Sequence, residues 1–352
     1  MANMAQSIRM ALHHAETNLG LKDVFVQDVG APLGGVFTAT QGIKCAWNTP
    51  LDERGIVGAA IGIAMTGDRC VAEIQFCDYI FNTIDLLKMA GNTLWATNGR
   101  QSCGLTLMTP VGAGIRGSVY HSHSFDGWAT RIPGWKIVIP SNPKDAYGLL
   151  LSAIEDPNPV MFLKPKALLR VKGDLLPGEP ESEKELKARI DAPVDPSARK
   201  KWAPDWPEIE DFRIPIGKAS ICREGQAATI VSYGRTLPLC VAVADKLKSE
   251  GIDLEVIDLR SLYPYDWQAI KSSIEKTGRV LFVNEETEVT NFAEHLVFRC
   301  TQELFYHLMA RPRVLAGKNV PGIGLHANLE ENTVPQAKEI EREVRELLQE
   351  QP

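Results

Sequence analysis

Strand-like and helix-like segments alternate along this chain in two separate blocks. The run 172–212 divides the blocks; it is dense in Pro, Glu, Asp, Lys and Arg and has no sustained period. Regular alternation of this kind favours mostly parallel sheets covered by helices on both faces, that is, an α/β fold of two doubly wound domains. We therefore predict domains at 1–171 and 213–352, joined by a charged, proline-rich insertion or linker at 172–212.

Hydrophobic periodicity gives approximate bounds for these segments. A helix is predicted to start at Asp52 or Glu53 and to stop at 66–68. In a parallel sheet ligands lie at the carboxyl ends of the strands, where Asp28, Gln75 and Thr109 are expected. The other predicted elements are strands at 23–29, 70–76, 105–108, 160–163, 227–233, 254–258 and 280–283, and helices at 5–19, 81–96, 144–154, 238–250, 267–276, 292–308 and 335–349.

Composition and charge argue against several classes of protein. The 352 residues are 44% hydrophobic and 23% charged, which is typical of a globular chain with a sizeable core. A net charge of -6 gives no footprint for nucleic acid, and no apolar run has the length of a membrane span. The N-terminus lacks the apolar stretch of a signal peptide, so we expect a cytoplasmic location, or the mitochondrial matrix if a transit peptide is missing. Seven scattered cysteines without a C-x-x-C pair predict reduced thiols.

The stretch 48–79 carries the strongest indication of a functional site. Glu53 lies at a predicted helix start, small residues follow at helical spacing, and the next strand leads to Gln75 and Tyr79. A helix N-terminus favours a negative charge, and most Glu residues at such a position are first-turn residues that stabilise the helix and have no catalytic role. Residue spacing alone leaves both explanations open.

Several long motifs resemble a known family. These are NTPL-x-E-x-GIVG from Asn48, AEIQF-x-DYIF from Ala72, YHS-x-S from Tyr120 and IEDPNP from Ile154. The chain resembles the beta subunit of the thiamine-diphosphate-dependent decarboxylase component of 2-oxo acid dehydrogenases, the branched-chain type first. This resemblance implies a transketolase-like pyrimidine-binding domain followed by a transketolase C-terminal-like domain.

The resemblance also implies site residues. Glu53 matches the glutamate that activates the cofactor's aminopyrimidine ring, and Gln75 and Tyr79 match positions that contact the pyrimidine end. His121 matches the histidine that faces the cofactor and assists acyl transfer to a lipoyl group. On residue types alone, His121 and His123 could form part of a zinc site, although a pair in a loop more often makes hydrogen bonds.

A potassium site is implied by the same resemblance. It would use the side chains of Asp156 and Asn158 and the backbone carbonyls of Leu105, Thr106 and Ala153. Without the resemblance, Asp-Pro-Asn-Pro is simply a turn sequence.

Partner chains are implied because the family's G-D-G motif for magnesium is missing from this sequence. A separate alpha chain would hold magnesium and the diphosphate, in a heterotetramer of two alpha and two beta chains within a multienzyme complex. The small-residue helix 55–67 is the expected contact with a second copy of this chain. A lipoyl acyltransferase is the expected acyl acceptor, with Glu285, Glu286 or the acidic terminal helix as its docking candidates.

The chain also departs from the family. Gln27 stands where a glutamate is usual, His123 where a glutamine is usual, the segment 42–48 is shortened, and the insertion 172–212 is extra. These departures keep alternatives open. The first is a pyruvate or acetoin dehydrogenase beta subunit, and the second is a non-catalytic, beta-like scaffold subunit.

Overall fold

The fold comprises two compact units, seen in a computed structural model that describes residues 1–199 and 201–351. The first unit comprises Met1–Pro110, Ile132–Lys164 and Leu168–Ile216; the second comprises Val111–Arg131, Pro165–Ala167 and Gly217–Pro352. The helices are α1 (Met4–Asn18), α2 (Glu53–Met65), α3 (Ile84–Ala96), α4 (Asp126–Thr130), α5 (Pro143–Glu155), α6 (Glu183–Ile190), α7 (Pro196–Arg199), α8 (Thr236–Lys248), α9 (Trp267–Thr277), α10 (Phe292–Glu303), α11 (Ala327–Thr333) and α12 (Ala337–Gln349). The strands are β1 (Leu21–Val26), β2 (Ala46–Asn48), β3 (Arg69–Glu73), β4 (Leu105–Val111), β5 (Lys136–Val138), β6 (Val160–Pro165), β7 (Ser220–Arg223), β8 (Ala228–Ser232), β9 (Leu254–Asp258), β10 (Ser261–Tyr263), β11 (Val280–Thr287) and β12 (Arg313–Gly317).

The sheet of the first unit has the strand order β5-β6-β4-β3-β1-β2. Strand β1 pairs in parallel with β2 and with β3, and β3 pairs in parallel with β4. The carboxyl ends of β1, β3 and β4 are therefore neighbours at one edge, as the alternation of elements predicts. Helices α1 and α5 pack together and bury side chains such as Ile8, Leu12 and Leu150.

Strand β3 ends earlier than predicted. It stops at Glu73, and a 3-10 helix at Cys77–Thr83 precedes α3. The predicted strand 70–76 thus ends three residues too late, and the predicted helix 81–96 begins three residues too early. As a result Gln75 and Tyr79 lie on the connection that follows β3, where side chains are not confined to the two faces of a sheet.

The insertion packs against the first unit. Its helix α6 buries Leu186 and Ile190 completely in the core of that unit, four residues apart on one helix face. Arg9 of α1 is also buried; it donates hydrogen bonds to the Ile190 carbonyl and to the carboxylate of Asp191. The prediction of a linker or surface excursion is therefore wrong for this part of the run.

The second unit contains a five-stranded sheet with the order β12-β11-β8-β9-β7. Strands β8, β9, β11 and β12 are parallel to their neighbours, while β7 at the edge is antiparallel to β9. Strand β11 is longer than the predicted 280–283 and continues to Thr287. This extension carries Glu285 and Glu286, whose contacts are described below.

Candidate active site

Glu53 is the first residue of α2, and its side chain is half-buried. Its position places a carboxylate beside the backbone N–H groups that begin the helix and have no partner within it. Arg54 makes a two-pronged ion pair with Asp85, with nitrogen–oxygen distances of 2.6 and 2.9 Å. This contact lowers the pKa of Asp85 to about 2. The starts of α2 and α3 are thereby held together, which fixes the helix end that presents Glu53.

Gln75 connects the ends of two neighbouring strands. Its side-chain nitrogen donates to the backbone carbonyl of Gln27 at 2.8 Å, just beyond the end of β1. Asp28 follows with a φ of 62°, a left-handed conformation that turns the chain sharply. At the end of β2, Asn48 Oδ1 accepts a hydrogen bond from Gly30 N–H at 2.8 Å. These contacts give the carboxyl edge of the sheet a defined shape around Gln75.

Aromatic rings form one wall next to Gln75. The Phe76 ring meets Phe37 at 6.1 Å and Tyr79 at 6.4 Å, in edge-to-face geometry that aromatic pairs favour. Tyr79 remains 37% exposed. Glu53, Gln75 and Tyr79 all belong to the first unit, so the structure offers an acid, an amide and a phenol from the region of the α2 start and the β3 end.

Two buried polar features lie at this edge of the first unit; sequence reasoning named Thr109 but missed the ion pair of Lys164 and Glu73. Lys164 Nζ lies 2.6 Å from the Glu73 carboxylate, and both side chains are almost completely buried. Within the described residues, the hydroxyl of Thr109 is buried without a hydrogen-bond partner. Glu73 and Thr109 lie near the carboxyl ends of β3 and β4, so this edge of the sheet is unusually polar. The sequence signal for this ion pair was the presence of Glu73 and Lys164, two residues of opposite charge, directly after apolar strand segments.

His121 belongs to the second unit, within Val111–Arg131. Its Nδ1 lies 3.1 Å from the backbone carbonyl of Gly117. Because a carbonyl only accepts, Nδ1 carries the proton in this contact, and Nε2 is then the basic nitrogen. Arg116 and Ser118 have φ values of 56° and 64°, so the preceding turn is tightly folded.

Three carboxylates of the second unit hold the segment around His121. Glu285 accepts from Ala113 N–H at 3.0 Å, and Glu330 accepts from Gly114 and Arg116 N–H at 3.1 and 3.0 Å. Glu286 accepts from Gly127 N–H in the first turn of α4. Because Glu285 and Glu286 are turned inward onto this segment, the expectation that they form an exposed docking surface is wrong.

The same region contains a concentrated group of buried carboxyls. Burial raises the pKa of Glu286 to about 7. Burial, with repulsion from Glu286 and Glu285, raises the pKa of Asp126 well above its usual range. Burial also raises the pKa of Glu285, although Arg235 opposes that shift. These shifts favour the uncharged form of the carboxyls beneath α4, which limits the repulsion between them.

The residues of the expected potassium site are partly brought together. Asp156 Oδ1 accepts from the backbone and side-chain nitrogens of Asn158 at 2.9 and 3.1 Å, and Asp156 N–H donates to the Ala153 carbonyl. The other carboxylate oxygen of Asp156 binds the ammonium group of Lys136. The negative charge that would attract a cation is thus already matched by Lys136. Leu105 and Thr106 begin β4 and pair with β3.

Comparisons with known proteins identify the family. The chain matches the model of the transketolase pyrimidine binding domain at residues 3–172 and that of the transketolase C-terminal domain at residues 217–340. It is 36% identical to 2-oxoisovalerate dehydrogenase subunit beta 2, mitochondrial, of Arabidopsis thaliana, over 91% of this chain and 82% of that protein. It is 33% identical to 2-oxoisovalerate dehydrogenase subunit beta of Bacillus subtilis, over 94% of this chain and 96% of that protein. The chain belongs to the family of 2-oxo acid dehydrogenase beta subunits.

One further relative agrees with this family, and one solved structure agrees with the fold. A pyruvate dehydrogenase E1 component subunit beta of Rhizobium meliloti is 33% identical, over 97% of this chain and 69% of that protein. A solved structure named a split gene transketolase, inactive beta4 tetramer, superimposes with a TM-score of 0.72 over 99% of this chain and 98% of that one. At 17% identity the second match supports the fold alone. The predicted fold class and family of this 2-oxo acid dehydrogenase beta subunit are confirmed.

Among residues 1–199 and 201–351, none of the helices of this beta subunit has the length and apolar character needed to cross a bilayer.

Proposed function

We propose that this beta subunit takes part in the oxidative decarboxylation of a branched-chain 2-oxo acid and in transfer of the acyl group to a lipoyl group on an acyltransferase. The observation that carries the proposal is the position of Glu53 as the first residue of α2, a helix that contacts both β3 and the 3-10 helix of Tyr79. The branched-chain assignment is supported by the relatives named 2-oxoisovalerate dehydrogenase, at 33–36% identity over most of this chain.

Thiamine diphosphate is the cofactor that membership of this family implies, and the residues present suit its pyrimidine end. Gln75 offers an amide, and the Phe76 and Tyr79 rings offer apolar surface. The Thr109 hydroxyl, which has no hydrogen-bond partner among the described residues, adds a buried polar group at the same edge. When bound, the cofactor supplies a nucleophilic carbon and accepts the electron pair released on decarboxylation.

Glu53 is the proposed proton donor to the aminopyrimidine ring. A carboxyl group performs this task when burial raises its pKa, because it then keeps a proton to share. The isolated chain leaves Glu53 only half-buried, so we propose that a partner chain completes its burial.

His121 is the proposed acid–base residue during acyl transfer. With Nδ1 held on the Gly117 carbonyl, its Nε2 is oriented to accept and return a proton. The carboxylates of Glu285 and Glu330 support this role indirectly, because they fix the backbone that precedes His121.

An alpha chain and a second copy of this chain are the proposed partners. The outer faces of α2 and α3 expose large apolar side chains, including Trp95 at 89% and Met89 at 51%. Patches of this kind mark interaction surfaces. A side chain added at Gly58 or Gly62 of α2 would meet open space in the isolated chain. Gly62→Leu is therefore expected to leave the isolated chain folded and to abolish assembly, measured by light scattering of the mixed subunits.

We also propose that magnesium is held mainly by the alpha chain, and that potassium binds at Asp156, Asn158 and the carbonyls of Leu105, Thr106 and Ala153. Potassium would have to displace Lys136 from Asp156. A higher Tm in KCl than in NaCl of equal ionic strength would support the site; identical melting curves would reject it.

The decisive experiment is to purify this chain with its alpha partner and to assay decarboxylation of 2-oxoisovalerate and pyruvate. Glu53→Gln should reduce kcat by at least about a hundredfold, since general acid–base groups contribute about 10²–10⁴-fold. Asp68→Asn, which replaces an exposed carboxyl just beyond the other end of α2, is the matched control. Full activity of Glu53→Gln would reject the assignment of the proton donor. Preference for pyruvate would favour the second candidate substrate, which the Rhizobium meliloti relative supports.

A further inference from the structure

A cavity of about 330 Å³ lies in the first unit between α1 and the insertion. This volume lies in the range of small-molecule sites. Helix α1 contributes one wall with His13 and His14, and α5 contributes Tyr147. Residues 206–209 of the insertion form the opposite wall. The cavity therefore exists because the insertion folds back onto α1.

Aromatic stacking gives the cavity a fixed shape. The His13 ring stacks on Trp206 with the centroids 4.6 Å apart and the planes inclined by 11°. Tyr147 stacks on Phe212 at 5.0 Å and meets the His14 ring edge-on at 6.3 Å. Because these rings pack against one another, the site is already formed before a ligand binds. Binding therefore requires less loss of side-chain conformational entropy.

Tyr147 provides an independent indication of a ligand. The residue is completely buried, and its hydroxyl has no hydrogen-bond partner among the described residues. Burial, with Asp211 nearby, raises the pKa of this hydroxyl, while Arg213 opposes the shift. A buried hydroxyl is normally paired, and it can both donate and accept. A ligand that pairs with it would satisfy this group.

The charged side chains around the cavity determine whether a cationic or an anionic ligand is favoured. Glu208 is the carboxylate that lines the cavity. Outside the lining, Glu16 lies 3.1 Å from His13 Nδ1, and the Asp211 carboxylate lies 3.3 Å from His14 Nε2 with its charge already matched by Arg213. Burial lowers the pKa of His14, which disfavours a positive charge on its ring. None of the lining residues that the structure describes is Lys or Arg. Carboxylates and phosphates are therefore disfavoured, and a cation is favoured.

We propose that this cavity binds a small organic cation, with a primary ammonium or amidinium group on an apolar or aromatic body. The cationic group lies between the Glu208 carboxylate and the Tyr147 hydroxyl oxygen. The body of the ligand packs against Trp206 and Ile209, where the indole ring adds attraction for the positive charge. Because a 2-oxo acid is an anion, this site is separate from the proposed substrate site.

The test uses the full chain, purified with its alpha partner and labelled with 5-fluorotryptophan. The ¹⁹F signal of Trp206 is assigned with Trp206→Phe, and benzylamine is titrated as the probe. A saturable shift of the Trp206 signal is expected, while the signal of Trp202 in the same insertion stays in place. Benzoate, which has a similar ring and the opposite charge, should cause no saturable shift.

Two variants separate the proposed contacts from general effects. Glu208→Gln should weaken benzylamine binding about tenfold, because a charge-assisted contact is replaced by a neutral one. Glu210→Gln, an exposed carboxyl two residues further along, should bind as the unmodified chain does. The proposal is overturned if benzoate binds as tightly as benzylamine, if Glu208→Gln binds normally, or if about 20 mM benzylamine leaves the Trp206 signal unchanged.

Discussion

Replacing Glu286 with glutamine should change how the stability of the second unit depends on pH. Burial raises the pKa of Glu286 from 4.5 to about 7. Below pH 4.5 the carboxyl is protonated in both the folded and unfolded states, so its titration does not change the free energy of unfolding. Between pH 4.5 and 7 only the unfolded state releases the proton, so stability falls as pH rises. Above pH 7 the loss is complete, and at about 1.4 kcal/mol for each pKa unit it amounts to about 3 kcal/mol.

Glu286→Gln removes this titration and keeps an oxygen that can accept from Gly127 N–H. The variant should match the unmodified chain near pH 4.5 and exceed its free energy of unfolding by about 3 kcal/mol at pH 8.5. Loss of the charge also relieves repulsion on Asp126, which acts in the same direction. Hydrogen–deuterium exchange of amides in α4 and β11, corrected for intrinsic rates, reports the free energy of opening.

Glu294→Gln in α10 is the matched control, since that carboxyl is exposed in the same unit. It should leave the pH dependence of exchange unchanged. The reasoning is refuted if Glu286→Gln and the unmodified chain show parallel pH profiles between pH 4.5 and 8.5.

Three other substitutions test separate parts of the structure. Lys164→Met should lower the free energy of unfolding by about 3–5 kcal/mol, because it leaves the Glu73 carboxylate buried without a counter-charge; adding Glu73→Gln should restore much of the loss in urea unfolding. Gly91→Ala should destabilise the chain by more than about 2 kcal/mol, because the new methyl group would overlap the Pro133 carbonyl. His121→Ala should slow reductive acylation of a lipoyl group by about 10²-fold or more in stopped-flow assays, with cofactor affinity unchanged.

The overall fold could be predicted from sequence because buried parallel strands are continuous apolar runs. Strand β9 matches its predicted range to the residue, since all five of its residues are buried. Strands β5 and β10 were missed because three residues are too few to show a period. Edge strand β7 was missed because only part of its surface is buried.

The contacts of the candidate site were harder to predict than its residues. Motifs in the sequence pointed to Glu53, Gln75, Tyr79 and His121, but they gave no sign of what holds the segment around His121. Glu285 accepts from Ala113, which is 172 residues away, and no local pattern encodes such a pair. Charged residues at a strand end are normally exposed, so Glu285 and Glu286 were expected at the surface.

The insertion did contain a signal for its packing. Leu186 and Ile190 are spaced by four residues within a charged segment, which is the pattern of a short helix with one buried face. The pattern covers barely two turns, so it was outweighed by the surrounding Pro and charged residues. Tertiary contacts, and not local propensity, decide the conformation of such a segment.

The insertion packs against the segment that precedes β2. Trp202 and Pro204 of the insertion lie directly against Gly42, where a side chain would not fit. Nearby, the buried guanidinium of Arg9 binds Gln41 on one side and Asp191 of the insertion on the other. Burial lowers the pKa of Arg9, and Asp191 opposes that shift. Loss of the Asp191 carboxylate alone would leave the buried Arg9 guanidinium without its counter-charge, so the stability of α1 depends on the insertion.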